Sequence, residues 1–486
     1  MASRSADTII KNAKVVKSEG ILNGGVAVEG EKIVAVAEDQ YLPEGREVID
    51  LGGKYLFPGL IDHHIHLGGR CSFAAGVRAE SKAAALGGVT TLGVNGAKCM
   101  KLSRNFIYET LPEHMVSFHK GLPEAIEIAG TDSMVDVSLS VAIMTDEQAR
   151  EIPEYAERYG ISAYKFYVGL QSSVTPYMER TRPKWGMPVR WDDGTDFIGF
   201  ENVARIGGLA MIHAENFQIV RVLEERAKAT GRKDLAAWAM RSPGWVEASD
   251  IARYAHLARV TGTTLFVVHA SSKEGLEEIR AARSRGAKIV TETTPHHLII
   301  DPEAPFPGPR ARINPPIKEA ESREALWRGV RDGTVECIGS DHVPGTQTEQ
   351  IFDDDVWRGE QGFVSTQVIV PLMITEGYYK RGIPLERIAA ACSTNTAKCF
   401  GLYPRKGAIE VGSDADLVVV DMEKKMVVEE KDPNWSDSSN YSIYQGRELQ
   451  GWPILTMVRG RVVMKDRQLV GGPSGKYIPQ RVGVHK

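Results

Sequence analysis

The sequence predicts an α/β protein in which a (β/α)₈ TIM barrel is joined to a small β-sandwich. Short apolar stretches alternate with helix-like stretches through the middle of the chain, whereas strand-like stretches with tight turns occupy both ends. The length of 486 residues exceeds what one ordinary core needs, and it suits a large barrel with a satellite domain.

The two chain ends share a pattern of short β-strands. Apolar and polar residues alternate between turn residues in DTIIKNAKVV, GGVAVEG and EKIVAVAED, and again in GAIEVGSDADLVVVDMEKKMVV and MVRGRVVMKDRQLVGG. Neither end can bury much apolar surface alone, so we expect them to pair in one sandwich. The predicted domains are residues 1–55 together with 405–486 for the sandwich, and residues 56–404 for the barrel.

Eight apolar runs lie between these ends: YLFPGLIDHH, GVTTLGV, VDVSLSVAI, SAYKFYV, GGLAMIHAE, TTLFVVHA, AKIVTETT and VECIGSD. Most of the intervals hold a helix-like stretch, such as AAGVRAESKAAALG or KEGLEEIRAARSRG. Repeated β-then-α units with nearly continuous apolar strands indicate a parallel sheet. Eight such units indicate closure into a barrel, with a doubly wound open sheet as the alternative.

Composition excludes several classes of protein. A net charge of −4 argues against a nucleic-acid or anionic-membrane partner, which would require a concentrated basic surface. No run is long and apolar enough for a membrane span, and MASRSADTIIKNAKVV lacks the apolar core of a secretory signal. The five cysteines lack paired spacing, which predicts reduced thiols in a cytoplasmic protein, with a reactive or metal-ligating cysteine as the alternative.

Residues able to bind a metal stand at five of the predicted strands: His64, His66, Lys165, His213, His269 and Asp341. Side chains two apart in an extended segment point the same way, so His64 and His66 can share one ion while His63 faces elsewhere. Taken singly, each residue also fits a structural role as a core histidine, a surface-reaching lysine or a capping aspartate. Together they project into one mouth of the barrel, where barrel enzymes place their sites.

Lys165 lies among apolar neighbours in SAYKFYV. Two divalent cations would repel an ammonium, so the amine must be neutral there, and burial with cationic neighbours lowers a lysine pKa. A neutral amine can add CO₂ to give a carbamate (N6-carboxylysine) that bridges two metals. The hypothesis places Lys165 between one ion held by His64, His66 and Asp341 and a second held by His213 and His269. Imidazole and carboxylate ligands favour zinc, with manganese, iron or cobalt as alternatives.

Several longer motifs are spread over nearly the whole chain: PGLIDHHIH, the strand-four lysine, IHAEN, VHASS, ETTPHHL, NPPIK, SDHVP and NTAKCFGLYPRKGAIEVGSDADLVVVD. In these motifs the sequence resembles the amidohydrolase superfamily, and within it the cyclic-amide hydrolases hydantoinase, dihydropyrimidinase, allantoinase and dihydroorotase. The order His-x-His, Lys, His, His, Asp is similar to the binuclear metal set of that family. The resemblance implies a small cyclic-amide substrate and a homo-oligomer, either a dimer or a tetramer.

The expected reaction is hydrolytic opening of a cyclic amide or imide. A metal-bridging hydroxide would attack the carbonyl, and Asp341 would carry the water proton to the leaving ring nitrogen. We expect hydantoinase- or dihydropyrimidinase-like activity, with an allantoinase or dihydroorotase-like activity as the alternative. Two further classes are a mononuclear deaminase, against which Lys165 argues, and a catalytically silent structural homologue, against which the complete ligand set argues.

Substrate-binding positions match no single relative. Gly68 stands where dihydroorotase-like sequences usually carry an arginine, although Arg70 is nearby. Leu170 stands where hydantoinase-like sequences usually carry a tyrosine, although Tyr167 is closer to the lysine. We predict that Asn314 in RINPPIK hydrogen-bonds the substrate; the alternative is a turn-forming residue before two prolines.

Residues 179–191, ERTRPKWGMPVRW, look like an insertion at the barrel mouth. Four basic residues lie there beside two tryptophans. One interpretation is an exposed loop or a subunit contact. The other is a lid that selects an aromatic or anionic substrate through stacking and charge.

Overall fold

The computed structural model describes residues 5–68, 71–97, 117–168, 192–345, 353–429 and 441–485. Two sheets organise these residues, one with nine strands and one with eight. The strands, in chain order, are β1 (Ala6–Lys17), β2 (Gly20–Glu29), β3 (Lys32–Ala37), β4 (Gly45–Asp50), β5 (Tyr55–Pro58), β6 (Leu60–Ile65), β7 (Val89–Ala97), β8 (Asp136–Ala142), β9 (Ala163–Phe166), β10 (Leu209–Ile212), β11 (Thr264–Val267), β12 (Ile289–Thr293), β13 (Cys337–Ile338), β14 (Leu417–Val427), β15 (Glu448–Val458), β16 (Arg461–Lys465) and β17 (Gln468–Leu469).

The nine-stranded sheet combines both ends of the chain. Its order is β17-β16-β15-β14-β5-β1-β2-β3, with β4 paired to β1. The two ends meet where β5 runs antiparallel to β14, with Leu56 opposite Val419. Leu56 and Val419 are buried in an apolar cluster that also contains Val15, Leu417 and Met457. Neither end could bury these side chains without the other, as the alternating pattern predicts.

The eight-stranded sheet is the predicted barrel. Its strands lie in chain order from β6 to β13, and all of them pair in parallel. The segment after β13 returns to β6: the His66 N–H donates to the His342 carbonyl at 2.8 Å, and the His342 N–H donates to the His64 carbonyl at 3.1 Å. This pairing links the last strand to the first, so the prediction of a barrel is confirmed and the open sheet is excluded.

Helices follow most of the barrel strands. The α-helices are α1 (Phe73–Leu86), α2 (Leu122–Thr131), α3 (Asp146–Arg150), α4 (Ile152–Tyr159), α5 (Asp193–Ile206), α6 (Phe217–Ala229), α7 (Leu235–Met240), α8 (Gly244–Thr261), α9 (Lys273–Ser284), α10 (Pro295–Ile299), α11 (Ala320–Asp332), α12 (Ile369–Leu372), α13 (Leu385–Ala389) and α14 (Asn395–Cys399). π-Helical turns continue α12 over Met373–Tyr379 and α13 over Ala390–Thr394. No helix in the described ranges is both long and apolar enough to cross a membrane.

Side chains of the barrel strands alternate between two apolar clusters. Tyr164 and Phe166 of β9 belong to the large cluster shared with the helices. Ala163 on the same strand belongs to a second cluster with Phe266 and Phe400. The second cluster fills one end of the barrel interior, which leaves the opposite, carboxyl end of the strands for polar side chains.

Candidate metal centre

Strand alternation explains why Lys165 and His213 lie inside the barrel. Lys165 follows Ala163 by two residues on β9, and His213 follows Met211 by two residues at the end of β10. Ala163 and Met211 both belong to the interior cluster. Because side chains two apart on a strand share a face, Lys165 and His213 continue that face toward the carboxyl mouth.

The first donor group consists of His64, His66 and Asp341. Asp341 Oδ1 lies 3.2 Å from His64 Nε2 and 3.0 Å from His66 Nε2. His64 and Asp341 are buried, and His66 is half-buried. One ligand atom of each residue lies within 4.8 Å of the others. Burial alone would raise the pKa of Asp341, but the adjacent His64 and His66 imidazoles, when protonated, lower it well below its usual range.

The second donor group consists of His213 and His269, which end β10 and follow β11. His213 Nδ1 lies 2.9 Å from His269 Nε2. The ring of His269 stacks on that of His64 with centroids 5.4 Å apart, so the two groups are neighbours. Burial holds the pKa of His269 well below its usual value, which favours the neutral imidazole that a metal requires.

The donor chemistry of both groups fits divalent cations. His64 Nε2 is buried and lacks a well-aligned hydrogen bond within the described ranges, although Asp341 Oδ1 is 3.2 Å away. Buried polar nitrogens without partners are uncommon in folded proteins. Imidazole nitrogens and a carboxylate that converge in this way are the usual ligands of zinc and similar ions.

Lys165 lies close enough to both donor groups to influence the pKa values of their histidines. It is 1% exposed, and burial lowers its pKa to about 8 even though Glu292 and Asp341 favour the charged form. Burial is the main cause of the low pKa values of His66 in the first group and His269 in the second. The positive charge of Lys165 lowers both pKa values further. Gly96 leaves the room that this side chain needs, since a Cβ there would lie 3.0 Å from Lys165 Cγ.

Two of the predicted ligands have an unusual backbone conformation. His269 has φ 38° and Asp341 has φ 49°, in the left-handed region that residues other than glycine rarely adopt. Such conformations cost roughly 1–3 kcal/mol and are concentrated at functional sites. His269 lies two residues after the end of β11, and Asp341 lies three residues after the end of β13.

Asn314, the predicted substrate ligand, is half-buried and bonded on both sides. Its Oδ1 accepts a hydrogen bond from Arg241 Nη1 at 2.6 Å, and its side-chain amide donates to Gln361. The ring of Tyr167 lies 6.3 Å from that of His213. Arg70, Leu170 and residues 179–191 lie outside the described residues.

The structure adds residues to which the sequence analysis gave no role. Glu292, in ETTPHHL, lies against His63 Nε2 and 2.7 Å from His64 Nδ1. Glu215, in IHAEN, lies 3.1 Å from His213 Nε2. His296 is buried, and neither of its ring nitrogens has a hydrogen bond in the described part of the chain. Each of these residues is acidic or a histidine and lies in a sequence motif close to a predicted ligand or a strand end. That proximity was the signal that could have identified them.

Comparison with known proteins gives a consistent set of matches. The model of the amidohydrolase family matches residues 210–463. The chain is 30% identical to the L-hydantoinase of Paenarthrobacter aurescens, with 98% of each protein covered. It is 31% identical to an allantoinase of Rubrobacter xylanophilus, with 98% of this chain and 96% of that protein covered. The solved structure of L-hydantoinase (dihydropyrimidinase) from Arthrobacter aurescens matches with a TM-score of 0.83 and 28% identity, covering 98% of this chain and all of the other.

Proposed function

Because the chain belongs to the amidohydrolase family and is a hydrolase of cyclic amides, we propose that it opens its substrate's ring at a centre of two divalent metal ions. One observation carries the proposal: two groups of metal-binding side chains lie side by side, and the buried Lys165 is near both. A mononuclear deaminase has no use for Lys165, and a structural homologue has no use for the buried donors.

The proposed ligand assignment follows the two donor groups. One ion is held by His64, His66 and Asp341, and the other by His213 and His269. A carbamate formed by adding CO₂ to the Lys165 amine supplies the ligand between them. The low exposure of Lys165 and its pKa of about 8 support this, since far more of the amine is then uncharged near neutral pH than for an exposed lysine. We propose zinc as the metal, because imidazole and carboxylate ligands suit it.

Divalent cations held there supply Lewis acidity, which makes a water molecule more acidic and a substrate carbonyl more electrophilic. Water is the nucleophile in this proposal, and Asp341 is the residue that moves its proton. As a carboxylate, Asp341 accepts the proton of the attacking water and passes it to the ring nitrogen that leaves. Its low pKa keeps it in the form that can accept.

The substrate class is a small cyclic amide or imide. We propose hydantoin- or dihydropyrimidine-type rings first, because relatives named as hydantoinases match over nearly the whole chain. Allantoin is the second candidate, since an allantoinase matches with 31% identity. Asn314 is proposed to hydrogen-bond the substrate through the second N–H of its amide or the second lone pair of Oδ1, because Gln361 and Arg241 use only one of each. We also propose that the protein is a homo-oligomer, either a dimer or a tetramer. Light scattering of the purified protein measures its oligomeric state.

Metal content and ring opening, measured on the same sample, test this function. We expect two divalent ions per chain and hydrolysis of at least one of hydantoin, dihydrouracil, allantoin and dihydroorotate, with aryl-substituted imides and lactams as an extension. Chelation should abolish turnover, and the added metal should restore it.

H66A should lose metal. H119A is the matched control, since the His119 imidazole bonds the Tyr159 hydroxyl at 3.0 Å, away from the centre. A fully metal-loaded protein that opens none of these rings contradicts the proposal.

A further inference from the structure

Glu292 is a buried carboxylate that contacts two histidines of the centre, His64 and His269, and also the neighbouring His63. It lies on β12, between the strands that carry the first and the second donor group. Its Oε1 is 2.7 Å from His64 Nδ1 and accepts the backbone N–H of His269 at 3.0 Å. Its Oε2 lies against His63 Nε2. The side chain of Glu292 has no exposed surface.

These contacts fix where the proton of His64 lies. The His269 N–H can only donate, so Oε1 is an acceptor, and an ionised carboxylate has no proton to give. His64 Nδ1 must then carry its proton toward Glu292. The lone pair of His64 is left on Nε2, the atom 3.2 Å from Asp341 Oδ1. This is the tautomer that the first donor group requires.

The surroundings leave Glu292 and His64 little freedom to rearrange. Gly339, directly after β13, packs against both side chains. A Cβ at Gly339 would lie 2.9 Å from Glu292 Cδ and 2.9 Å from His64 Cβ. Contacts this short do not occur between real carbon atoms, so the backbone of Gly339 limits the positions that the side chains of Glu292 and His64 can take.

We propose that Glu292 is a positioning residue that sets the tautomer of His64 and the backbone position of His269, so that both metal sites depend on one carboxylate. The inference rests on the proposed two-metal function and assigns it a residue that contacts no substrate. The shared atom is Oε1, which bonds the ring of His64 in the first group and the backbone of His269 in the second. Carboxylates behind ligand histidines orient the ring and raise its basicity.

The test compares E292Q and E292L with wild type in the full-length protein. Zinc is titrated against a competing chelator, and nitrogen NMR of the histidine rings reports the tautomers of the metal-free protein. E292L should weaken zinc binding at both sites by about 10–100-fold, and E292Q, which keeps one acceptor oxygen, should fall in between. The His64 ring should lose its single Nδ1–H tautomer in E292L. A role in packing alone would lower thermal stability without changing the His64 tautomer.

E247Q is the matched control. Glu247 is also a fully buried carboxylate near the end of β11, and its Oε1 accepts the Ser271 N–H at 2.8 Å. It should change thermal stability without changing the His64 tautomer or zinc affinity. Equal zinc affinity in E292L and wild type, at both sites, overturns the role of Glu292 while the two-metal function stands. A wild-type protein that takes up no divalent metal overturns the two-metal function and this inference together.

Discussion

Lys406 lies where the barrel meets the nine-stranded sheet, and its side chain has no exposed surface. The Lys406 ammonium contacts Asp136, the first residue of β8. It also lies 3.0 Å from Asp414 and 2.6 Å from Asp416, directly before β14. Although these acidic residues are grouped closely enough to hold a metal ion, the ammonium already occupies their centre. K406M replaces the cation with an uncharged side chain of similar length and leaves the carboxylates buried.

The expected loss of stability follows from that burial. Removing one partner of a buried ion pair costs about 3–5 kcal/mol, because the remaining charges stay out of water. For a chain of 486 residues, the average entropy of unfolding converts this loss into a fall in Tm of about 3–5 °C. Arg459, 3.2 Å from Asp136, still compensates one carboxylate, whereas Asp416 depended on Lys406.

The loss should also depend on pH. Burial already raises the pKa of Asp416 to about 6, although Lys406 opposes that shift, so removing Lys406 raises it further. Above the ordinary pKa of 3.8, the folded protein then holds a proton that the unfolded chain releases. Stability therefore falls as pH rises. The deficit of K406M should be larger at about pH 8 than at about pH 5.

Calorimetry of the purified variants at both pH values measures the effect, with K32M as the matched control. Lys32 pairs with Asp414 at 2.7 Å, but its side chain is 48% exposed. An exposed pair contributes at most about 1 kcal/mol, so K32M should unfold near the wild-type temperature. If K406M unfolds at the same temperature as K32M at both pH values, the buried ammonium does not hold these carboxylates together.

Four further predictions concern the centre. D341N should lower kcat by about 10²–10⁴-fold through loss of the proton carrier, and near-native turnover with metal bound would contradict that role. K165A should lose bound metal and the mass of one added CO₂, and an added short carboxylic acid should restore metal binding. Full metal content in K165A without the added acid would exclude a bridging role for Lys165. R241M should raise KM more than it lowers kcat, because Arg241 holds Asn314 Oδ1 at 2.6 Å, and steady-state kinetics separate the two. Deletion of residues 179–191 should change KM or substrate range at constant metal content, and an unchanged profile would reject a lid.

Much of the fold could be predicted because each element has a local signal. β9 and β10 are short apolar runs with turn residues around them, and the positions of Lys165 and His213 on the fourth and fifth predicted strands predicted that both face one mouth of the barrel. The count of eight β-then-α units predicted closure of the barrel, but the contacts that close it have no local signal. They are backbone hydrogen bonds of His64 and His66 with His342, which is far from both in the sequence.

The backbone conformations that follow the strand ends could likewise not be predicted from the sequence. Histidine and aspartate adopt left-handed φ values only occasionally, so the residue types of His269 and Asp341 could not by themselves indicate this conformation. Asn314 shows the same limit. An asparagine before two prolines predicts a turn, but its bond to Arg241 depends on how the end of α7 packs against that loop.

The DHHIH segment shows where the period-2 rule stops being sufficient. Strict alternation assigns His64 and His66 to one face and His63 to the other. His63 does pack among Phe266 and Phe400, with ring centroids 5.3 and 4.9 Å away.

Yet His63 and His64 reach the two oxygens of the same carboxylate, because the pairing of β6 with β7 shifts register between Asp62 and Ile65. The shift brings two adjacent histidines to one side of the strand end. It therefore makes Glu292, which lies 228 residues beyond His64, a partner that the sequence pattern of β6 could not indicate.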